Sequence, residues 1–350
     1  MAHGARGAGA FYHGPVPADL AAPDVPAASR AGSRRAVQWG QAAAAAFLAP
    51  SATALRRWAL AGLITSALII LTGAAVRLSQ SGLGCPDWPA CTAHSLAASG
   101  TSGDPLIHRW VEFGNRLVTV AIFVIAAGVC LTAWRFRPDG GHRRRDLVWL
   151  AAAQPGAIVA QAVLGGIVVL TKLNPALVSL HFLASVALVA AAVALYVRCQ
   201  EGSGQARPLV PRVVQLSALG VLGAVALMLA AGTVVTGTGP LAGAANVARY
   251  HLPLEGVTQL HADIGWLLGG LVVGLLVGLR LAHAPAKAVR LAWLLAGLVL
   301  LQGVIGYAQY FTGLPAGLVW VHVAGSTAIW ITALLLPYSL RDRGAITALP

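Results

Sequence analysis

Charge is scarce in this chain. Only 10% of its 350 residues are Asp, Glu, Lys or Arg, and just 11 are acidic. A soluble protein of that length would need many more polar side chains to cover its surface. Cysteine is scarce too, with four in all. The shortage of acidic residues leaves a formal charge of +13, which in another setting would suggest nucleic acid. Here the basic residues do not form one patch. They lie between apolar runs, where lipid headgroups and membrane topology account for them, so nucleic acid is not an expected partner.

Apolar residues take up the space. They make up 57% of the chain, the mean hydropathy is +0.74, and runs about 20 residues long recur, the length a helix needs to cross a bilayer. The pattern predicts eight spans, near 57–78, 109–134, 147–170, 176–198, 213–236, 259–282, 291–312 and 316–338. Each is read as a helix, because backbone polar groups in lipid must be satisfied within their own segment. Nineteen of the 24 basic residues fall on one side of these spans, leaving Arg77, Arg109, Arg116, Lys172 and Arg249 on the other or at its edge. The positive-inside rule makes the crowded side cytoplasmic. Both termini are then inside a multi-pass protein of the cytoplasmic membrane, and the loop after the first span faces out. Residues 1–55, rich in Ala, Gly and Pro, are expected to be a disordered cytoplasmic tail, and 341–350 a second, short cytoplasmic tail. A cleaved signal is the competing reading of the N-terminus, but its apolar part lies far from the start.

The chain also repeats itself. "QAVLGGIVVLTKLNPALVSLHFLAS" and "QGVIGYAQYFTGLPAGLVWVHVAGS" pair Gln161 with Gln302, Gly165 with Gly306 and His181 with His322 at one constant offset. The expected architecture is all-α: two tandem four-helix bundles in parallel repeat, covering 56–200 and 201–340.

Ten histidines are present. His3, His13, His142 and His283 belong to tails or inner loops, and His94 to the outer loop. His181, His261 and His322 all fall in the first turns of spans that run from outside to inside, so they share a depth near the outer face. Any one alone reads as an interfacial histidine bonded to a carbonyl. His261 and His322, at matching depth on parallel helices of one half, read as two imidazoles offered to opposite faces of a haem. Zinc would want further ligands that this half does not supply at that depth. In the first half Asn115 stands where His261 stands in the second. His108, Glu112 and Asn115 share a helix face. Glu112 reads either as a structural partner of Arg109 or Arg116, or as a proton-handling group.

The segments "LTGAAVRLSQSGLGCPDWPAC", "WVEFGNRL", "SLHFLAS", "QLHADIGW" and "VHVAGS" together resemble the haem A synthase family over roughly 56 to 338. The resemblance implies a membrane oxidoreductase that oxidises one methyl of haem O to the formyl of haem A. The route would be two hydroxylations, with loss of water from a geminal diol. It implies haem b as cofactor on His261 and His322, His181 as ligand to the iron of the substrate haem, and Glu112 as the catalytic acidic residue. Haem O synthase (a protohaem farnesyltransferase) and cytochrome oxidase assembly factors are the implied partners, besides the bilayer and an electron donor the sequence does not name. Many members carry His where this chain has Asn115. Either His181 alone holds the substrate haem, or His108 reaches in. Cys85 and Cys91 match the family's outer-loop pair, and in an oxidising compartment a disulfide between them can persist. Two free thiols, or a redox pair, are the other readings. Cys130 and Cys199 read as small packing residues. The alternative functions are a di-haem b-type electron-transfer protein acting on quinol, which needs two complete bis-imidazole sites, and a transporter or scaffold without cofactor.

Overall fold

The computed structural model describes residues 49–93, 95–98, 105–138, 141–344 and 346. His3, His13, His94 and nearly all of the expected 1–55 tail lie outside the described residues. Among the described residues eight helices form: α1 (Ala52–Leu78), α2 (Leu106–Arg135), α3 (Arg145–Leu170), α4 (Pro175–Arg198), α5 (Arg212–Thr238), α6 (Leu254–Leu281), α7 (Ala286–Phe311) and α8 (Ala316–Ser339). All eight are long and apolar enough to cross a membrane. At 24 to 30 residues they run about 36–45 Å, longer than the roughly 30 Å of bilayer hydrocarbon.

That excess explains where the helices differ from the expected spans. Apolarity marks only the part of a helix that lies in lipid, while hydrogen bonding carries it on into the headgroup region. So α1 starts at Ala52 rather than 57, with the Ser51 hydroxyl accepting from the Ala54 N–H at 3.1 Å and Arg56 and Arg57 inside its first turns. Prolines set most other starts. Pro105, Pro211, Pro253, Pro285 and Pro315 occupy the cap position of α2, α5, α6, α7 and α8, and Pro175 opens α4. Proline's fixed φ suits a helix entry, and the N–H it lacks would be unbonded there anyway.

The helices close into rings. In the first, α1 packs on α2, α2 on α3, α3 on α4, and α4 back on α1. In the second, α5, α6, α7 and α8 do the same. The seam between the rings brings α1 and α4 against α8, and α4 against α5. Two indoles fasten it: Trp330 Nε1 donates to the Val186 carbonyl at 2.9 Å and Trp320 Nε1 to the Leu71 carbonyl at 3.0 Å. The largest apolar core runs through this seam, from Leu63 and Ile70 through Val186 and Val189 to Leu275 and Ala333.

Loops bind the rings at both ends. At one end the Gly82 N–H donates to the Gly243 carbonyl at 2.8 Å, and Arg77 Nη1 to the Leu241 carbonyl at 3.1 Å. At the other, β1 (Arg207–Pro208) pairs antiparallel with β2 (Arg341–Asp342). An ionic chain runs beside that ladder. Asp146 accepts from Arg144 (2.7 Å) and Arg198 (2.6 Å), and Glu201 accepts from Arg198 (2.6 Å) and Arg341 (3.0 Å). Glu201 therefore holds the end of α4 to the segment after α8. Buried Cys199, one residue past α4, is a free thiol, and burial pushes its pKa from 9.0 up to about 12.

Two outcomes follow. Glu201→Gln leaves two guanidinium groups short of a partner and should cost about 1–3 kcal/mol, read as a drop of several degrees in the thermal midpoint of the detergent-solubilised protein; an unchanged midpoint contradicts this role. The Cys199 thiol is deprotonated less readily in the folded than in the unfolded chain. Its contribution to stability is therefore intact below pH 9 and fades as the pH rises toward about 12. Maleimide labelling of Cys199 in the folded protein should stay slow at pH 8 and become fast only on unfolding.

Candidate functional site

Each of the three membrane histidines lies against a glycine of the preceding helix. A Cβ on Gly165 of α3 would stand 3.3 Å from the His181 ring, one on Gly232 of α5 3.3 Å from His261, and one on Gly306 of α7 3.7 Å from His322. The small residues let half-buried imidazoles sit close to a neighbouring backbone inside the bundle. All three rings have a buried Nδ1 without a hydrogen-bond partner.

His261 and His322 come together as the sequence reading expects. Their ring centroids are 6.4 Å apart, with 60° between the planes. They reach each other from α6 and α8, which stand diagonally across the second ring. Two turns further along each helix, Leu268 and Ile329 belong to one buried core, which floors the pair. The first ring is built alike. Two turns beyond Asn115 on α2 is Ile122, and two turns beyond His181 on α4 is Leu188, and these two share a buried cluster with Ile158. The faces carrying Asn115 and His181 are thus turned toward one floor. Asn115 Oδ1 is buried and unpaired. Gln161, matched with Gln302 in the repeat, steadies the histidine helix by donating to the His181 carbonyl at 3.0 Å.

The expected face of His108, Glu112 and Asn115 divides among three tasks. His108 Nδ1 bonds the Ser81 hydroxyl at 2.8 Å. Glu112, 6% exposed, accepts from the Cys85 N–H at 2.7 Å and from Arg116 Nη2 at 2.8 Å. Asn115 keeps a buried side-chain oxygen that neither of these contacts engages. Of the two arginines considered as partners for Glu112, Arg116 is bonded to it directly.

Cys85 and Cys91 form a disulfide, with an S–S distance of 1.97 Å, and both are fully buried. Their loop is fastened by Arg116, which also donates to the carbonyls of Cys85 (3.0 Å), Asp87 (3.1 Å) and Ala90 (2.9 Å). At Gly84 a Cβ would collide with the His108 and Arg109 backbone, and at Gly166 with the Trp88 indole. Trp88 of the loop therefore lies on α3 one residue from Gly165, the glycine facing His181, and the loop covers that end of the first ring. Sequence reasoning missed Arg116 as the hub of this cover, and missed Gly232 and Trp88. Gly165 and Gly306 recur in register in the sequence; Gly232 had no such marker.

Among the described residues no group of three or more His, Cys, Asp or Glu gathers to hold a bare metal ion. The donors that do converge are two imidazoles in an apolar setting, which suits a flat macrocyclic metal better than an ion needing a full ligand set.

Eight described helices fit to span a membrane, with paired imidazoles inside one helix ring and a disulfide-closed cover over the other, define a polytopic membrane protein with a site between helices. The chain belongs to the cytochrome oxidase assembly protein family, whose sequence model matches residues 56–334. It is similar to a "Heme A synthase" of Shewanella oneidensis, 25% identical over 82% of this chain and 96% of that protein. Shorter stretches resemble proteins of the same name from Lysinibacillus sphaericus, at 34% identity over 36% of this chain and 39% of that one, and from Geobacillus kaustophilus, at 32% over 32% of each.

The cover predicts a measurable effect of its hub. Arg116→Ala removes the grip on the loop carbonyls and should speed reduction of Cys85–Cys91 by dithiothreitol at least about tenfold, since access governs thiol exchange. Gel-shift counting of freed thiols measures it, and equal rates in both proteins would show that the loop does not depend on Arg116.

Proposed function

We propose that this chain is a haem A synthase, a membrane oxidoreductase that takes haem O as substrate and oxidises one ring methyl to a formyl group. The observation that carries the reading is the His261–His322 pair, in a chain of this family. Two imidazoles that come this close inside an apolar helix ring would be able to hold one haem between them. The separation of 6.4 Å fits. The glycines behind the rings fit as well, because they let both imidazoles lie close against the neighbouring helix. His261 and His322 would hold haem b, and when bound it supplies one-electron redox chemistry.

Two four-helix halves in parallel repeat complete the reading. The closed neighbour order of each ring supports it, and so do the α3–α4 and α7–α8 turns. These place Lys172–Leu173 and Gly313–Leu314 at positive φ in matching positions. Both termini are read as cytoplasmic and the disulfide loop as outward-facing, on the charge asymmetry. His181 is the ligand toward the iron of the substrate haem, and the first ring binds and orients that macrocycle. The Cys85–Cys91 loop excludes water from its outer end. Glu112, held by Arg116 and the Cys85 N–H, is the catalytic acidic residue, placed at the outer edge of the first ring where a carboxylate can hold or pass a proton. The di-haem electron-transfer reading is weaker, because the first ring offers His181 opposite Asn115 where it would need a second imidazole.

Deleting the gene should abolish haem A in the membranes, and normal haem A in such a strain overturns the proposal. His261→Ala and His322→Ala should each lose haem b, by pyridine haemochrome spectra, at near-normal expression.

A further inference from the structure

The two rings share a plan but differ in one ligand. In each, two diagonal helices turn inward faces toward a common apolar floor: Leu268 and Ile329 in the second ring, Ile122 and Leu188 in the first. Above the floor of the second ring stand two imidazoles 6.4 Å apart. Above the floor of the first stand His181 and Asn115, each half-buried with a polar atom, Nδ1 and Oδ1, buried and unpaired. The other polar candidates on the α2 face are engaged: His108 with Ser81 at 2.8 Å, and Glu112 with Cys85 and Arg116.

We infer that the first ring holds a haem through one axial imidazole only, that of His181, and that the opposite face of its iron, beside the Asn115 amide, is a binding site for a small exogenous ligand, a diatomic gas or water. This rests on the reading that the chain binds haem. The chemistry is direct. A carboxamide is a poor ligand for haem iron, so Asn115 leaves the sixth position open. Its amide is nevertheless a donor and acceptor in an apolar setting, suited to hydrogen-bond a polar molecule held there. Iron with two imidazoles has no vacant position, so the second ring stores and passes electrons while the first admits a ligand. Asn115 is thus a specificity-determining residue for what reaches the first iron.

Carbon monoxide is the probe. The full-length protein, purified and loaded with haem, is reduced and exposed to it. The expected result is that about half of the bound haem shifts to a carbonyl spectrum while the rest stays six-coordinate and low-spin. His181→Ala should abolish the reactive fraction. Asn115→His should convert it to a low-spin, bis-imidazole species, with CO-reactive haem falling at least tenfold; Asn115→Leu should keep it reactive and speed dissociation of a bound diatomic. Haem that is all low-spin and CO-inert in the unaltered protein overturns the inference and leaves the haem reading standing. So does a reactive fraction that survives in His181→Ala or is unchanged in Asn115→His. A protein that takes up no haem overturns both.

Discussion

A polar atom buried between membrane helices without a partner costs about 1–3 kcal/mol, and this chain keeps several of them at the centre of its two rings. The Nδ1 atoms of His181, His261 and His322 and the side-chain oxygens of Asn115, Gln161 and Gln302 are all buried and unpaired. Packing alone would favour leucine at such positions. Apolar burial elsewhere offsets the cost: a cluster two turns along from Asn115 and His181 in the first ring, and the large core that runs through the seam.

Much of this was legible in the sequence, for physical reasons. Lipid admits few backbone solutions, so eight apolar runs became eight helices. Their ends were less legible, since helices continue past the apolar stretch into the headgroup region. Histidine is conspicuous in such a chain, and the constant offset of His181 and His322 marked two related positions. The pairing of His261 with His322 could be anticipated because depth along a membrane helix follows from residue count. Arg116 was harder. Its partners are mostly main-chain carbonyls, which every residue has, so no pattern of residue types announces the contact. The ionic chain through Asp146, Arg198 and Glu201 was hidden in the same way, because its members read simply as inner-side charge.

The two rings differ in small ways on a similar frame. One carries two imidazoles and the other an imidazole and an amide, and one loop separates a covered end from its counterpart. Glu112 belongs to both features, bonded to the loop backbone while standing one turn from Asn115. Any movement of the cover is therefore felt at the carboxylate.

Arg116 addresses the loop through its peptide oxygens and Glu112 answers a peptide N–H, so neither contact depends on a sulfur atom. Gly84, pressed against α2, has no room for a side chain. A lineage living without oxidants could shed the cysteine pair and still inherit the same roof.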